Sequence, residues 1–207
     1  PDLHAAVDFY SDWHCWNVGG GMFLDVTQQV GATNTGSDMG LGIGDIENDG
    51  DLDIYSTNIG RAILYVNDGQ GYFTEEGGPR GCGGWGAYSA TGWGAAFADF
   101  DHDRDQDLVF VAYGEPGFLF ENDGTGHFDN VTVGSHLRLY GHGLIPFDYD
   151  RDGDLDLLVS RHGPGRLSLY ENRSPGLANR HWLRVLLRGT ASNRDGVGAK
   201  VEVSAGG

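Results

Sequence analysis

Three acidic nonapeptides recur down the chain at nearly constant spacing, and they constrain the fold more than any other feature. They read DIENDGDLD from Asp45 to Asp53, DFDHDRDQD from Asp99 to Asp107, and DYDRDGDLD from Asp148 to Asp156. Each is followed by an apolar run: Ile54-Tyr55, Leu108 to Tyr113, or Leu157 to Val159. A glycine comes next (Gly60, Gly114, Gly163), then a second run, RAILYVN, GFLFEN or RLSLYEN, ending at Asn67, Asn122 or Asn172. The hairpin signal NDGQGYF (Asn67 to Phe73) returns as NDGTGHF (Asn122 to Phe128), and a related NVGGGMF spans Asn17 to Phe23. The repeating unit is therefore about 50 residues of short strands separated by turns. Four strands per unit of this length predict an all-β chain built as β-propeller blades. One blade cannot bury both of its faces, so blades must stack.

Glycine supplies 36 of 207 residues without a collagen period, as many tight turns require. The net charge of −17 argues against nucleic acid and anionic membrane as partners, since phosphate binding needs clustered Lys and Arg. No apolar run is long enough to span a bilayer. Nine of the 13 basic residues lie from Arg151 onward, so the C-terminal part presents a different surface. Cys15 and Cys82 can form a disulfide only if the fold brings them together. Asn130 and Asn172 open N-x-S/T sequons, the second followed by Pro175. The Gly-rich stretch from Glu75 to Thr91, carrying Cys82 and Trp85, is expected to be an exposed insertion.

The nonapeptides carry the chemistry. Positions 1, 3, 5 and 9 are acidic in all three: Asp45, Glu47, Asp49, Asp53; Asp99, Asp101, Asp103, Asp107; Asp148, Asp150, Asp152, Asp156. Position 7 adds Asp51, Asp105 and Asp154. In a tightly curled loop, alternate residues can aim their oxygens at one centre. Calcium takes 6–8 oxygens in irregular geometry, whereas magnesium needs strict octahedral order. No thiolate or imidazole cluster suggests zinc. An EF-hand is excluded, because position 12 is Ser56, Phe110 or Val159 and a strand follows instead of a helix. The expectation is one calcium ion per loop, about three in all. Position 6 is Gly50, Arg104 or Gly153, so the Arg104 loop is expected to be the most distorted.

With these residues on the page, GIGDIENDGDLDIYSTN, AFADFDHDRDQDLVFVA and IPFDYDRDGDLDLLVSRHG resemble FG-GAP/VCBS repeats, the calcium-binding blades of integrin-α-like propellers. HWLRVLLRGTASNRDGVGAKVEV, from His181 to Val203, resembles the start of an ASPIC/UnbV domain, as in cartilage acidic protein-like chains. The resemblance implies that side chains at positions 1, 3, 5 and 9 and the carbonyl at position 7 bind calcium, with Glu47 and Arg104 as departures. It divides the chain into 1–17, the end of a preceding blade; 18–178, three blades; and 179–207, a truncated β domain. The propeller is expected to be incomplete in this chain.

No catalytic constellation is recognisable. His142, six residues before the third loop, matches Met39 and Trp93 in the other two units, so its slot tolerates unrelated side chains. Trp13, Trp16, Trp85 and Trp93 fit blade packing better than a sugar platform. The chain is therefore expected to be an extracellular or cell-surface calcium-binding module for adhesion, matrix contact or scaffolding, with a protein or glycan partner unidentified. A filament or sheath subunit that self-associates through open strand edges is the alternative. A glycan-active enzyme on a propeller scaffold is the third.

Overall fold

A computed structural model describes residues 2–84, 90–162, 166–174, 182–183, 185–190, 193–201 and 203. Strands β1 (Leu3–Ala5), β2 (Trp13–Gly19) and β3 (Met22–Asp25) form a first antiparallel sheet, followed by the helical turn α1 (Thr27–Val30). A second sheet holds β4 (Gly40–Gly44), β5 (Asp53–Thr57), β6 (Ile63–Asn67) and β7 (Phe73–Glu75) in sequence order. The third repeats that meander with β8 (Thr91–Ala98), β9 (Asp107–Tyr113), β10 (Leu119–Asn122) and β11 (Phe128–Asn130), followed by the turn α2 (Thr132–Ser135). The fourth has β12 (Gly143–Phe147), β13 (Asp156–Ser160) and β14 (Leu167–Tyr170). Every strand pairing is antiparallel. The all-β, bladed architecture is thus as the repeat predicts, and among the described residues the sheets do not close into a barrel.

The boundary of the first blade moves. Because β2 pairs with β3 through Cys15↔Asp25 and Asn17↔Phe23, the NVGGGMF hairpin lies inside that blade, which runs to Asp25 and not to residue 17. The described residues of the 182–203 tail form no strand.

Packing explains why the middle strands read as continuous apolar runs. Side chains alternate across a strand. In β5, Tyr55 faces the third sheet, while Ile54 lies on the opposite face with Ile63 and Tyr65, whose ring meets His4 of the first sheet at 5.8 Å. In β9, Leu108 and Phe110 join Tyr55 and Leu64 in one core, while Val109 and Val111 meet Leu157 and Val159 in the next. The two central blades are therefore buried on both faces. The stretch after Glu75 departs from expectation: Cys82 and Ala90 are buried in the core between the second and third blades, and Tyr55 Oη donates to Cys82 O at 3.0 Å. Among its described residues Cys82 and Ala90 fill a gap between blades, so part of the stretch is a plug, while Gly78, Pro79 and Gly84 are exposed. Trp85 lies outside the described residues.

Candidate metal centre

Each acidic nonapeptide connects the first strand of a blade to the second: β4 to β5, β8 to β9, β12 to β13. The backbone curls the same way in all three. Position 4 is left-handed at Asn48 (φ 55°), His102 (φ 61°) and Arg151 (φ 70°), and position 6 at Gly50 (φ 95°), Arg104 (φ 89°) and Gly153 (φ 99°). Arg104 therefore adopts the glycine conformation, at a backbone cost of about 1 kcal/mol, and the expected distortion is absent.

Carboxylates hold the curl. At position 1, Asp45 accepts from the amides of Asp49 (3.0 Å) and Gly50 (2.9 Å), and Asp99 from those of Asp103 and Arg104, both at 3.2 Å. Asp148 accepts from Arg151 N at 2.6 Å. At position 9, Asp53, Asp107 and Asp156 are buried. One oxygen of each accepts from the position-2 amide (Ile46, Phe100, Tyr149) at 3.0–3.1 Å. The other accepts from the amide of Asn67, Asn122 or Asn172 at 2.8–3.1 Å.

The side chains converge in two of the loops. Oxygens of Asp99, Asp101 and Asp103 lie within 4.8 Å of one another, as do those of Asp148, Asp150 and Asp156. Asp152 donates its amide to Asp150 Oδ1 and accepts the Asp154 amide. Loop 45–53 forms no such group among the described residues. There Glu47, one methylene longer than Asp, reaches out to Arg80 Nη2 at 2.6 Å. The Glu47 departure, and not Arg104, is what sets one loop apart.

The electrostatics match crowded anions. Burial pushes the Asp107 carboxyl up to about 7, and burial also raises Asp53, Asp99 and Asp154. A hydrogen bond shared with Asp49 lifts Asp51 to about 6, while the same bond lowers Asp49. The donor set is oxygen only, as a hard divalent cation requires.

The position-7 side chains do not join these groups among the described residues, which leaves position 7 its expected backbone carbonyl. Asp105 Oδ1 accepts from Asn48 Nδ2 of the preceding blade at 2.7 Å, and Asp154 Oδ1 stands 3.6 Å from His102 Nε2. Asp51 is occupied with Asp49.

The remaining singled-out residues separate. Cys15 and Cys82 are both free thiols, one on β2 and the other sealed in the plug, where burial pushes it up to about 12; the disulfide is not formed. Asn130 is exposed at the end of β11. Asn172 is not free for a glycan: its Nδ2 donates to Phe100 O at 2.7 Å and Leu155 O at 3.2 Å. His142 packs edge-on to Trp93 at 4.7 Å and near His162 at 5.4 Å, with no ion-pair partner among the described residues.

Two features escaped the sequence reading. The first is the role of the hairpin asparagines. Asn122 Nδ2 donates to Ile46 O (2.9 Å) and Gln106 O (3.1 Å), so it joins position 2 of the preceding loop to position 8 of its own, as Asn172 does one blade on. Its signal was present, an Asn at the same place in each repeat. The second is a buried polar cluster from separate segments. His4 Nδ1 lies 3.4 Å from His14 Nδ1, Asn34 Nδ2 donates to Asp38 at 2.8 Å, and His4 Nε2 stands 3.9 Å from Asp12 Oδ2. Burial pushes Asp12 up to about 8 and His4 down to about 4. No local pattern marked it.

Comparison with known proteins bears on the repeats. The family model of the FG-GAP-like repeat matches residues 45–110 and 99–159, which together contain all three acidic loops. A lectin of Agrocybe aegerita, described as specifically recognising non-reducing terminal N-acetylglucosamine, aligns in structure with TM-score 0.42 and 18% identity over 83% of this chain. The chain spans about half of that lectin's length, 48%. No curated protein matches.

Proposed function

The chain belongs to the FG-GAP-like repeat family, and on that premise we propose that it is an extracellular, calcium-binding propeller module that serves adhesion, matrix contact or scaffolding. The observation that carries this is the gathering of three carboxylates within 4.8 Å in each of two loops of identical curl. Asp99, Asp101 and Asp103, and Asp148, Asp150 and Asp156, would hold an ion, with the position-7 carbonyl completing the set. Calcium would supply charge neutralisation where like charges crowd and a cross-link from the first to the second strand of a blade. Loop 45–53 is the weakest of the three, because Glu47 is committed to Arg80. Calorimetric titration with Ca²⁺ tests the reading. It expects saturable binding, a higher melting temperature, and a much smaller response to Mg²⁺. No heat and no melting shift at millimolar Ca²⁺ contradict it.

A second reading, a subunit of an extracellular assembly, is favoured by one observation. On the outer face of the fourth sheet, Ile145, Leu158 and Leu169 lie in register across three strands, with Ile145 and Leu169 exposed. Leu3 and Trp13 are exposed on the first sheet. These are the kinds of surface that the middle blades bury. A chain that sediments as a monomer at every concentration contradicts the assembly reading.

A further inference from the structure

The first two acidic loops each reach into the next blade. Asn48, at position 4 of loop 45–53, donates from Nδ2 to Asp105 Oδ1 at 2.7 Å and comes within 3.5 Å of Arg104 O. One blade on, His102, again position 4, sets Nε2 3.6 Å from Asp154 Oδ1, with both side chains largely buried. The receiving carboxylate is position 7 each time. Asn48 and His102 share the left-handed backbone conformation. The receiving residue is also threaded into its own cage: the Asp105 amide donates to Asp103 Oδ1 at 2.9 Å, and the Asp154 amide to Asp152 Oδ1 at 3.0 Å.

We propose that the position-4 side chain of each of the first two acidic loops is a positioning residue for the ion cage of the following blade, Asn48 for loop 99–107 and His102 for loop 148–156. The inference rests on the calcium reading above. Its physics is preorganisation: the arm that must present the position-7 carbonyl is fastened from outside, so less ordering is left to the ion. The first loop fits the same rule from the other side. Asp51 has no such partner from a preceding loop among the described residues, and 45–53 is the loop whose carboxylates do not gather.

The test uses the full chain carrying D45N and D49N, which disables loop 45–53. Adding D148N and D150N leaves loop 99–107 as the intact cage, and adding D99N and D101N instead leaves loop 148–156. Ca²⁺ affinity is measured in each by calorimetry, with and without N48G, since glycine keeps the left-handed backbone and removes only the amide. N48G is expected to weaken binding about tenfold where 99–107 is intact, the scale of partners that orient metal ligands, and to leave 148–156 unchanged. D105A, which removes the same contact from the other side, should weaken 99–107 equally and add nothing to N48G. A loss that a merely structural contact causes would fall on both backgrounds alike. If the 99–107 background binds calcium and N48G leaves its affinity unchanged, the inference is overturned and the calcium reading stands. If that background binds no calcium, both fall.

Discussion

At the scale of single residues, the buried aspartates carry most of the tension in the molecule. Asp107 holds together a loop and a hairpin through two amides, yet burial pushes its carboxyl up to about 7. Asp12 is wholly buried beside Asp38, and burial raises it to about 8. Both pKa values lie above the ordinary carboxylate value, so the stability these groups contribute is complete below about pH 4 and is lost as pH rises through 7 and 8. His4 is depressed to about 4, so its contribution is complete above pH 6.5 and is lost as pH falls toward 4. The ion-free protein should therefore lose stability as pH rises from about 6.5 to 8, the window in which His4 no longer offsets the two carboxylates. Calcium should remove the part due to Asp107 and leave the part due to Asp12. Asp12→Asn should flatten that second part. Urea unfolding in EGTA and in Ca²⁺ across this pH range reads both, and a pH-independent midpoint in EGTA contradicts the assignment.

At the scale of elements, the acidic loops and the hairpins after the third strand act as pairs. Asn122→Ala strips partners from Ile46 O and Gln106 O in a buried seam, and should cost about 2–3 kcal/mol. A change within about 0.5 kcal/mol in urea would show that the seam does not matter. Glu47→Asp shortens the one side chain that leaves its loop for Arg80. It should raise the calcium affinity of loop 45–53, seen calorimetrically as a tighter weakest site; unchanged affinity means that Arg80 is not the cause. The strands and the acidic loops were legible because each is a local, periodic pattern repeated three times; of the expected ligand positions the structure gathers 1, 3 and 5 in one loop and 1, 3 and 9 in another. The contacts of the Asp105 and Asp154 side chains were not legible because their partners lie in another blade, about 50 residues away, where the local pattern is silent. The seam contact of Asn172 was hidden for the same reason: a sequon is local, but the carbonyl of Phe100 that its amide meets is not.

At the scale of the whole molecule, burial is uneven in a way that follows from stacking. The central blades are closed on both faces, and among the described residues the first and fourth sheets leave apolar side chains exposed, Leu3 and Trp13 on one and Ile145 and Leu169 on the other. The repeat made this architecture legible, because a blade that reads as continuous apolar strand must have neighbours on both sides. The plug around Cys82 was not legible, since a Gly-rich stretch looks like a loop until the gap that it fills is known. The cluster of His4, Asp12, His14 and Asp38 was equally hidden, being assembled by packing between the first two sheets. The central claim is that the acidic bends cage calcium and so pin neighbouring strands. It is tested most directly by anomalous scattering from crystals grown with Ca²⁺. Peaks are predicted among Asp99, Asp101 and Asp103 and among Asp148, Asp150 and Asp156, with a weaker one or none at Asp45 and Asp49. Maps without anomalous signal in any of the three bends would contradict it.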